Sequence, residues 1–208
     1  MATEPTSTTP ARTPPPTFSL KYPPVLEPFN HPAATWLTTH DKHWDGLLTG
    51  ALVFSPENRI LLLQRASHDS MPNRWETPGG AADAEDASLF VSCARELWEE
   101  AGLEAVEIVR IVTEGRDMEP GSVFPNRNGT RLYCRFGFEV RVKEGGVKID
   151  PEEHQDFLWA TEEEVNEEKV GEREIPITNG QMKRLILDGF RRRREEVAEG
   201  ADEVVEGR

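Results

Sequence analysis

The nine residues Arg95-Glu96-Leu97-Trp98-Glu99-Glu100-Ala101-Gly102-Leu103 decide the fold of this chain. They close a segment, Ala87 to Ala101, whose apolar residues recur at steps of four, three and four: Phe90, Ala94, Leu97 and Ala101. This spacing places the four side chains in one stripe of a helix. Asp86 or Ser88 can cap the start of the helix, and Gly102 can end it in the left-handed conformation. The pattern therefore predicts a helix over residues 87–101.

Three carboxylates occupy the helix face opposite this stripe. Glu96, Glu99 and Glu100 stand at i, i+3 and i+4, so their side chains share that face. A solvated acidic surface is the ordinary explanation of such a cluster. Here, however, Arg95 can reach Glu99 one turn on through charge-assisted hydrogen bonds. Convergent carboxylates with one orienting guanidinium predict a site for a hard, oxygen-preferring cation, Mg²⁺ or alternatively Mn²⁺.

A turn of two glycines and several nearby side chains are further candidates for the site. Gly79 and Gly80 lack side chains, which allows sharp turning and a close approach of the backbone to a ligand. Arg65 and Arg74 stand at the ends of predicted strands and are candidates for phosphate contact, although as surface charges they would do nothing. Trp75 and Trp98 could stack on a base, but such aromatic side chains belong more often to the core.

The remaining periodic runs indicate a chain that mixes strands and helices. A turn cluster at residues 55–58 favours a hairpin-like connection between the first two strands, which we expect to be central. Thr161 and Glu164 form a capping-box pattern for a short helix through Val165. This order predicts an α+β fold, with a mixed sheet covered by helices on both faces. The predicted strands are Leu47–Phe54, Arg59–Arg65, Arg74–Thr77, Val106–Val112, Arg131–Val142 and Phe157–Ala160, and the last helix is Asn179–Ala198.

Composition divides the chain into one domain with two tails. Residues 1–24 are rich in Pro, Thr and Ser and predict a flexible arm; residues 25–194 form the domain; residues 195–208 are an acidic tail that we expect to fray into solvent. Between Phe29 and Trp44 the chain gains large apolar side chains, so this segment should pack onto the domain. The long loop from Gly115 to Thr130 is a candidate functional loop.

Charge and cysteine content restrict the function. A net charge of −14 argues against binding a nucleic acid polymer, which needs a basic face. It does not exclude a phosphate substrate, because a bound divalent metal reverses the sign of a carboxylate-rich site. Cys93 and Cys134 fit neither a zinc array nor a disulfide framework and are simplest as buried apolar residues. No signal-peptide pattern or apolar run of about 18 residues is present, so we expect a cytoplasmic protein without a membrane partner.

Gly80 together with residues 95–103 resembles the Nudix box. The family pattern ends in Arg-Glu-apolar-any-Glu-Glu-any-Gly-apolar, and all nine positions match. The front of the box departs from the usual spacing, since either Asp86 or Glu85 stands where the family has a glutamate, with one residue inserted before Arg95. The resemblance covers roughly residues 44–165 and implies a Nudix-type α/β/α sandwich.

The resemblance also implies an activity. Glu96, Glu99 and Glu100 would bind Mg²⁺ and serve catalysis, and Arg95 would orient one of them. The reaction would be hydrolysis of the diphosphate bond in a small nucleoside-diphosphate-linked or related substrate, by attack of water on phosphorus. The Gly79-Gly80 backbone would leave room for metal and substrate.

Residues before the last predicted strand are candidates for the general base. The sequence Pro151-Glu152-Glu153-His154 resembles the place where many Nudix enzymes carry a further glutamate. We favour Glu153 over Glu152 and consider His154 a weaker candidate; solvated charge is the competing explanation.

Two other functions compatible with the family stay open. An enzyme resembling isopentenyl-diphosphate isomerase shares this fold, but no supporting cysteine arrangement is evident. A non-catalytic ligand sensor would be expected to have lost the box carboxylates, which are intact here. A homodimer is possible, and the sequence leaves the oligomeric state open.

Overall fold

Strands and helices alternate along the chain much as the sequence patterns indicate. A computed structural model describes the backbone of residues 14–206 and the side chains of residues 14–198. The described strands are β1 (Gly46–Leu52), β2 (Ile60–Arg65), β3 (Trp75–Glu76), β4 (Ala105–Val112), β5 (Ser122–Pro125), β6 (Leu132–Val142), β7 (His154–Ala160), β8 (Lys169–Val170) and β9 (Arg173–Glu174). The helices are α1 (Ala33–Thr39), α2 (Leu89–Ala101), α3 (Glu162–Glu167) and α4 (Gly180–Glu206), preceded by a 3₁₀ helix at Pro24–Phe29.

The strands are distributed over two main sheets. β6 pairs with β1 in parallel and with β4 and β5 antiparallel, while β2 pairs antiparallel with β3 and β7. The predicted hairpin-like connection between the first two strands is present but short. One β-bridge, Phe54 to Ile60, and a hydrogen bond from Leu61 N to Val53 O of 2.9 Å join β1 to β2. Away from this turn the two strands diverge and enter different sheets. β2 is central as predicted, but β6 rather than β1 is the centre of the larger sheet.

Strand β2 lies between two apolar cores. Leu61 and Leu63 enter the core on the α2 side, whereas Ile60 and Leu62 enter the core on the α4 side. All four are fully buried, as expected for a strand covered on both faces. The predicted α/β/α sandwich with a mixed sheet is thereby confirmed.

One face of β6 forms core, as its alternation predicts. Cys134, Phe136 and Phe138 are buried on the α2 side. The opposite face is covered too, since Glu139 is 3% exposed and forms an ion pair with Arg110, whose Nε lies 2.8 Å from Glu139 Oε2, and a second ion pair with Arg193 of α4. Cys93 lies in the same core as Cys134, and burial raises the pKa of the Cys134 thiol to about 12.

The N-terminal segment is attached to the domain earlier than its composition predicts. Residues 1–13 of the predicted arm lie outside the described residues. Phe18, Leu20 and Tyr22 pack against the core, and Lys21 N donates to Val106 O at 3.1 Å, so the prediction of a flexible arm reaching residue 24 is wrong from Phe18 onwards. Alternating apolar side chains and backbone pairing with β4 outweigh the Pro-rich composition.

The segment from Phe29 to Trp44 packs onto the domain, as predicted. It contains α1, and Trp36 on this helix is 5% exposed and meets the ring of Phe136 edge-on.

The C-terminal helix is longer than predicted. α4 continues to Glu206, so the expectation that the chain frays beyond Arg194 is wrong. Arginines hold the acidic residues of this stretch: Arg191 Nη1 lies 2.6 Å from Glu195, and Arg110 pairs with Glu196. Opposite charges at i and i+4 stabilise a helix that charge composition alone would weaken. No helix within residues 14–206 combines the length and apolar character needed to cross a lipid bilayer.

Candidate active site

Helix α2 carries the candidate metal ligands and has well-defined ends. Ser88 Oγ accepts from Val91 N at 3.2 Å and caps the start, and Gly102 ends the helix with φ +65°. The helix begins two residues after the predicted Ala87. Of the two predicted caps, Ser88 is the one used, because the Asp86 carboxylate is directed to Arg95 instead.

Arg95 donates hydrogen bonds to three carboxylates at the edge of this helix. Asp86 accepts from Arg95 Nε at 3.1 Å and from Nη2 at 2.9 Å, and Nη1 lies 2.8 Å from Glu96 and 3.0 Å from Glu99. Burial lowers the pKa of the Arg95 guanidinium, but the Asp86 and Glu96 carboxylates raise this pKa by more. The net effect is an increase above the usual value. Asp86 is buried whereas Glu85 is exposed, so Asp86 fills the supporting position that the sequence left open.

The two glycines of the turn are required for different reasons. Gly79 has φ +152°, and a Cβ there would lie 2.2 Å from Thr49 O, so the backbone leaves no room for a side chain. Its N–H donates to Glu100 Oε2 at 2.7 Å. A Cβ at Gly80 would instead lie 2.6 Å from Glu96 Oε2. The turn therefore holds Glu100 through a backbone donor and leaves space for the Glu96 carboxylate.

The first cavity beside α2, of about 430 Å³, is acidic, and we call it the carboxylate cleft. Glu96 and Glu100 line it from α2, while Glu153 and His154 line it from the start of β7. One ligand atom each from Glu100, Glu153 and His154 lies within 4.8 Å of the others. Glu99 is not among the lining residues and contacts Arg95, so the predicted trio is divided between cleft and rim.

Electrostatics in the cleft disfavour unshielded negative charge. Burial raises the pKa of Glu100 well above the usual range; the Gly79 N–H opposes this, and the charges of Glu76, Glu96 and Glu153 add to it. Burial likewise raises the pKa of Glu96 against the effect of Arg95. A bound cation would offset both effects. Carboxylate oxygens are the donors that Mg²⁺ prefers, so the residues of the cleft fit such an ion.

A buried network borders the cleft. Arg65 pairs with Glu76 and Asp69 and donates from Nε to Ser70 O at 2.7 Å. Glu76 is 4% exposed, and its Oε1 lies 3.9 Å from His154 Nε2. Neither ring nitrogen of His154 has a hydrogen-bond partner among the described residues. No motif in the sequence marks Glu76 as a member of the site.

Arg74, the other predicted phosphate contact, is not brought to the cleft. Its Nη1 donates to Ile177 O at 3.4 Å. Arg74 lines neither the carboxylate cleft nor the second cavity described below. The strand end points this side chain to the segment that pairs with β3. Trp75 is fully buried and belongs to the α4-side core, in agreement with the ordinary placement of such a residue.

A second cavity, of about 930 Å³, adjoins the carboxylate cleft, and we call it the side cavity. Arg65 and Asp69 line both cavities and lie at the boundary between them. Its other walls include Phe124 of β5, Arg135 of β6 and Thr178 before α4. The loop from Gly115 to Thr130 is thus part of this wall and contains a short strand. No spaced sequence motif marks Arg135 or Thr178 as members of this wall.

The chain is similar in sequence to known proteins. A family model described as NUDIX domain matches residues 46–179. The chain is 32% identical over 114 residues to "Nudix hydrolase 19, chloroplastic" of Arabidopsis thaliana, a match that covers 55% of this chain and only 24% of that protein. It is 25% identical over 132 residues to "CTP pyrophosphohydrolase" of Escherichia coli K12, covering 64% of this chain and 88% of the relative.

Solved structures share the fold. The MutT protein from Methanosarcina mazei Go1 superimposes with a TM-score of 0.54 at 23% identity, covering 72% of this chain and 94% of that one. The NUDIX domain of Shewanella oneidensis NrtR, in complex with ADP ribose, gives a TM-score of 0.51 at 19% identity, covering 77% and 97%.

Proposed function

The chain belongs to the NUDIX domain family, and from this premise we propose that it hydrolyses a diphosphate bond of a nucleoside-diphosphate-linked or related small substrate. Water attacks one phosphorus atom, a new oxygen–phosphorus bond forms, and the bridging oxygen–phosphorus bond breaks. The observation that carries this proposal is the convergence of Glu96, Glu100 and Glu153 in one cleft, from two elements distant in the sequence.

Glu96 and Glu100 would hold a divalent cation, Mg²⁺ or alternatively Mn²⁺, with Glu99 at the rim. When bound, the ion supplies positive charge that neutralises diphosphate oxygens and promotes ionisation of a water. Arg95 orients Glu96 and Glu99 through its two contacts of 2.8 and 3.0 Å. The Gly79 N–H fixes one oxygen of Glu100 at 2.7 Å, which leaves the other oxygen for a ligand.

Glu153 is the side chain that we assign to take the proton of the attacking water. It is exposed at the mouth of the cleft, whereas Glu100 is buried and already accepts from Gly79. A general base must lie within hydrogen-bond reach of the water that it deprotonates, and Glu153 lines the cleft in which that water would lie. His154, buried beneath it, borders the cleft beside Glu76.

A sensor that binds without hydrolysis is the second candidate function. It is favoured by the bound ADP ribose named for the Shewanella domain, which shares this fold. The retained carboxylates of the box and their burial in one cleft favour hydrolysis over binding alone.

The decisive experiment is a diphosphate screen with Mg²⁺ or Mn²⁺, read by chromatographic separation of the substrate from its monophosphate product. CTP and ADP-ribose are included because they are named for two similar proteins, beside nucleotide sugars, dinucleoside polyphosphates, oxidised nucleotides and isoprenoid diphosphates. We expect turnover that Glu100→Gln lowers by orders of magnitude. Ligand binding without turnover, for the wild type, would establish the sensor instead.

A further inference from the structure

His154 is a buried histidine whose ring nitrogens lack a protein partner. Its side chain is 2% exposed, and neither Nδ1 nor Nε2 forms a hydrogen bond among the described residues. Nε2 lies 3.9 Å from Glu76 Oε1, which is beyond hydrogen-bond distance. Buried polar atoms are nearly always hydrogen-bonded in folded proteins, so two unpaired nitrogens on one buried ring indicate a bound group that the protein chain itself does not supply.

An irregularity at the start of strand β7 directs this ring into the carboxylate cleft. The register of β7 against β2 shifts between His154 and Asp156, so that Gln155 is an additional residue on β7. A bulge of this kind changes the direction of nearby side chains and is common beside functional sites. Gln155 is exposed, whereas His154 is buried and lines the cleft. The position of the imidazole is therefore set by the sheet pairing of β7 with β2.

The imidazole lies beside the carboxylates that we assign to the cation. One ligand atom each from His154, Glu100 and Glu153 lies within 4.8 Å of the others. Ligand atoms about 2 Å from the same ion lie up to about 4 Å apart, so a small rotation of these side chains brings a nitrogen and a carboxylate oxygen to one ion. The cleft thus offers a nitrogen donor next to its oxygen donors.

A buried carboxylate also borders the ring. Glu76 is 4% exposed, and its own position is fixed by an ion pair with Arg65. A metal-bound histidine usually donates its second ring N–H to a carboxylate, which orients the ring and raises its basicity. Glu76 is the neighbour that can fill this role for His154. A cation cleft and an orienting carboxylate are the two surroundings expected of a metal-binding histidine.

We propose that His154 supplies a nitrogen ligand to the cation held by Glu100, so that the cleft selects a divalent transition metal such as Mn²⁺ over Mg²⁺. This inference rests on the cation site of the proposed function and adds its metal preference; Glu153 keeps its assignment to the attacking water. Mg²⁺ prefers oxygen donors, whereas imidazole favours transition ions. A buried water hydrogen-bonded to the ring is the competing explanation, and it predicts no nitrogen at the metal.

Pulsed electron paramagnetic resonance of Mn²⁺ bound to the full chain, without substrate, tests this ligand directly. We expect echo modulation from a coordinated nitrogen, and labelling the histidines with ¹⁵N should change its frequency. His154→Asn should abolish the modulation. His68→Asn is the matched control, because His68 lines the same cleft but its Nε2 already lies 3.0 Å from Glu152 O. This control should keep the modulation of the wild type.

Calorimetric titration measures the metal preference. Loss of a nitrogen ligand in His154→Asn should weaken Mn²⁺ binding about tenfold or more, while Mg²⁺ affinity should change by less than about threefold. His68→Asn should leave the ratio of the two affinities unchanged. Equal weakening of both metals in His154→Asn would show that the histidine only shapes the cleft, and the proposal would then be wrong.

The outcomes separate this inference from the proposed function. If histidine nitrogen is found at Mn²⁺ but none of the screened diphosphates is hydrolysed, the proposed function fails and the ligand assignment stands. If diphosphates are hydrolysed but Mn²⁺ shows no histidine nitrogen, the ligand assignment is wrong and hydrolysis stands. Melting curves identify a His154 variant that fails to fold. The labelled wild type and His68→Asn then decide, since loss of the modulation in His68→Asn would overturn the assignment to His154.

Discussion

At the scale of single residues, the turn before α2 shows two adjacent glycines with separable roles. The backbone of Thr49 occupies the space where Gly79 would carry a Cβ, whereas the end of the Glu96 side chain occupies that space at Gly80. Main chain cannot move aside, but a carboxylate can rotate. The first glycine is therefore needed for folding, and the second is needed for the position of a ligand.

Alanine at each position separates these roles. Gly79→Ala adds a clash with backbone to an unfavourable φ, and we expect it to lower the free energy of unfolding by more than about 2 kcal/mol. Gly80→Ala should change stability much less but weaken metal affinity and turnover, because Glu96 is displaced. Urea unfolding and metal titration measure both. Equal loss of stability in the two variants would contradict this assignment.

Glu153 and Glu152 form a matched pair for locating the general base. Both are exposed and line the cleft, but only Glu153 lies in the group with Glu100 and His154. Glu153→Gln should depress kcat at least a hundredfold with little change in metal affinity, and activity should partly return at high pH where hydroxide becomes the nucleophile. Glu152→Gln should leave kcat near that of the wild type. If Glu153→Gln retains full turnover, the base lies elsewhere, with Glu96 the next candidate.

At the scale of elements, α2 depends on the residues that precede it. The guanidinium of Arg95 is held from one side by Asp86, before the helix, and orients two glutamates on the other. Because the Asp86 carboxylate binds Arg95, Ser88 caps helix α2 instead, and the helix starts later than its pattern indicates.

Asp86→Ala tests this arrangement. A charge-assisted contact in a buried setting contributes about 1–3 kcal/mol, so the variant should unfold at a correspondingly lower urea concentration. Turnover should fall as well, since Arg95 loses the partner that fixes its direction. Glu85→Ala, at the neighbouring exposed position, should do neither. A loss in Asp86→Ala no larger than in Glu85→Ala would show that Glu96 and Glu99 suffice to hold Arg95.

Helices α2, α3 and α4 and the long strands could be predicted because their patterns are local, whereas α1 and the 3₁₀ helix could not. The stripe of α2, the alternation of β6 and the capping box at Thr161 all survive in the structure. Strand partners could not be predicted, since the turn between β1 and β2 gives no sign that they enter different sheets. The side cavity was equally hidden: Arg135 and Thr178 are brought together only by sheet pairing across distant parts of the chain.

At the scale of the whole molecule, part of the acidic charge lies in the carboxylate cleft, where burial makes a negative charge unfavourable. The chain carries a net charge of −14, and Glu100 is buried with three other glutamates acting on it. A ligand that binds only the folded state stabilises it, and a cation also removes this repulsion.

Divalent metal should therefore raise the melting temperature. At a metal concentration about a hundredfold above Kd, binding adds about 2.7 kcal/mol, or roughly 5–10 °C for a chain of this size. Scanning calorimetry with Mg²⁺ and Mn²⁺ measures the shift. Glu100→Gln should reduce it, and Glu85→Gln should keep it. An unchanged melting temperature with excess metal would contradict a cation site in the cleft.

The packed core of the protein includes residues that lie before the stretch that matches the family model. Leu26 and Trp36 belong to the same core as α2, and the first amide of that helix, Leu89 N, donates to His31 O at 3.0 Å. At the other end, Met182, Leu185 and Phe190 of α4 close the second core. A fragment cut at the matched limits, residues 46–179, would expose both hydrophobic interiors to water. We therefore expect the unit that folds on its own to extend beyond residues 46–179 at both ends, so that a truncation designed from sequence similarity alone would remove part of each core.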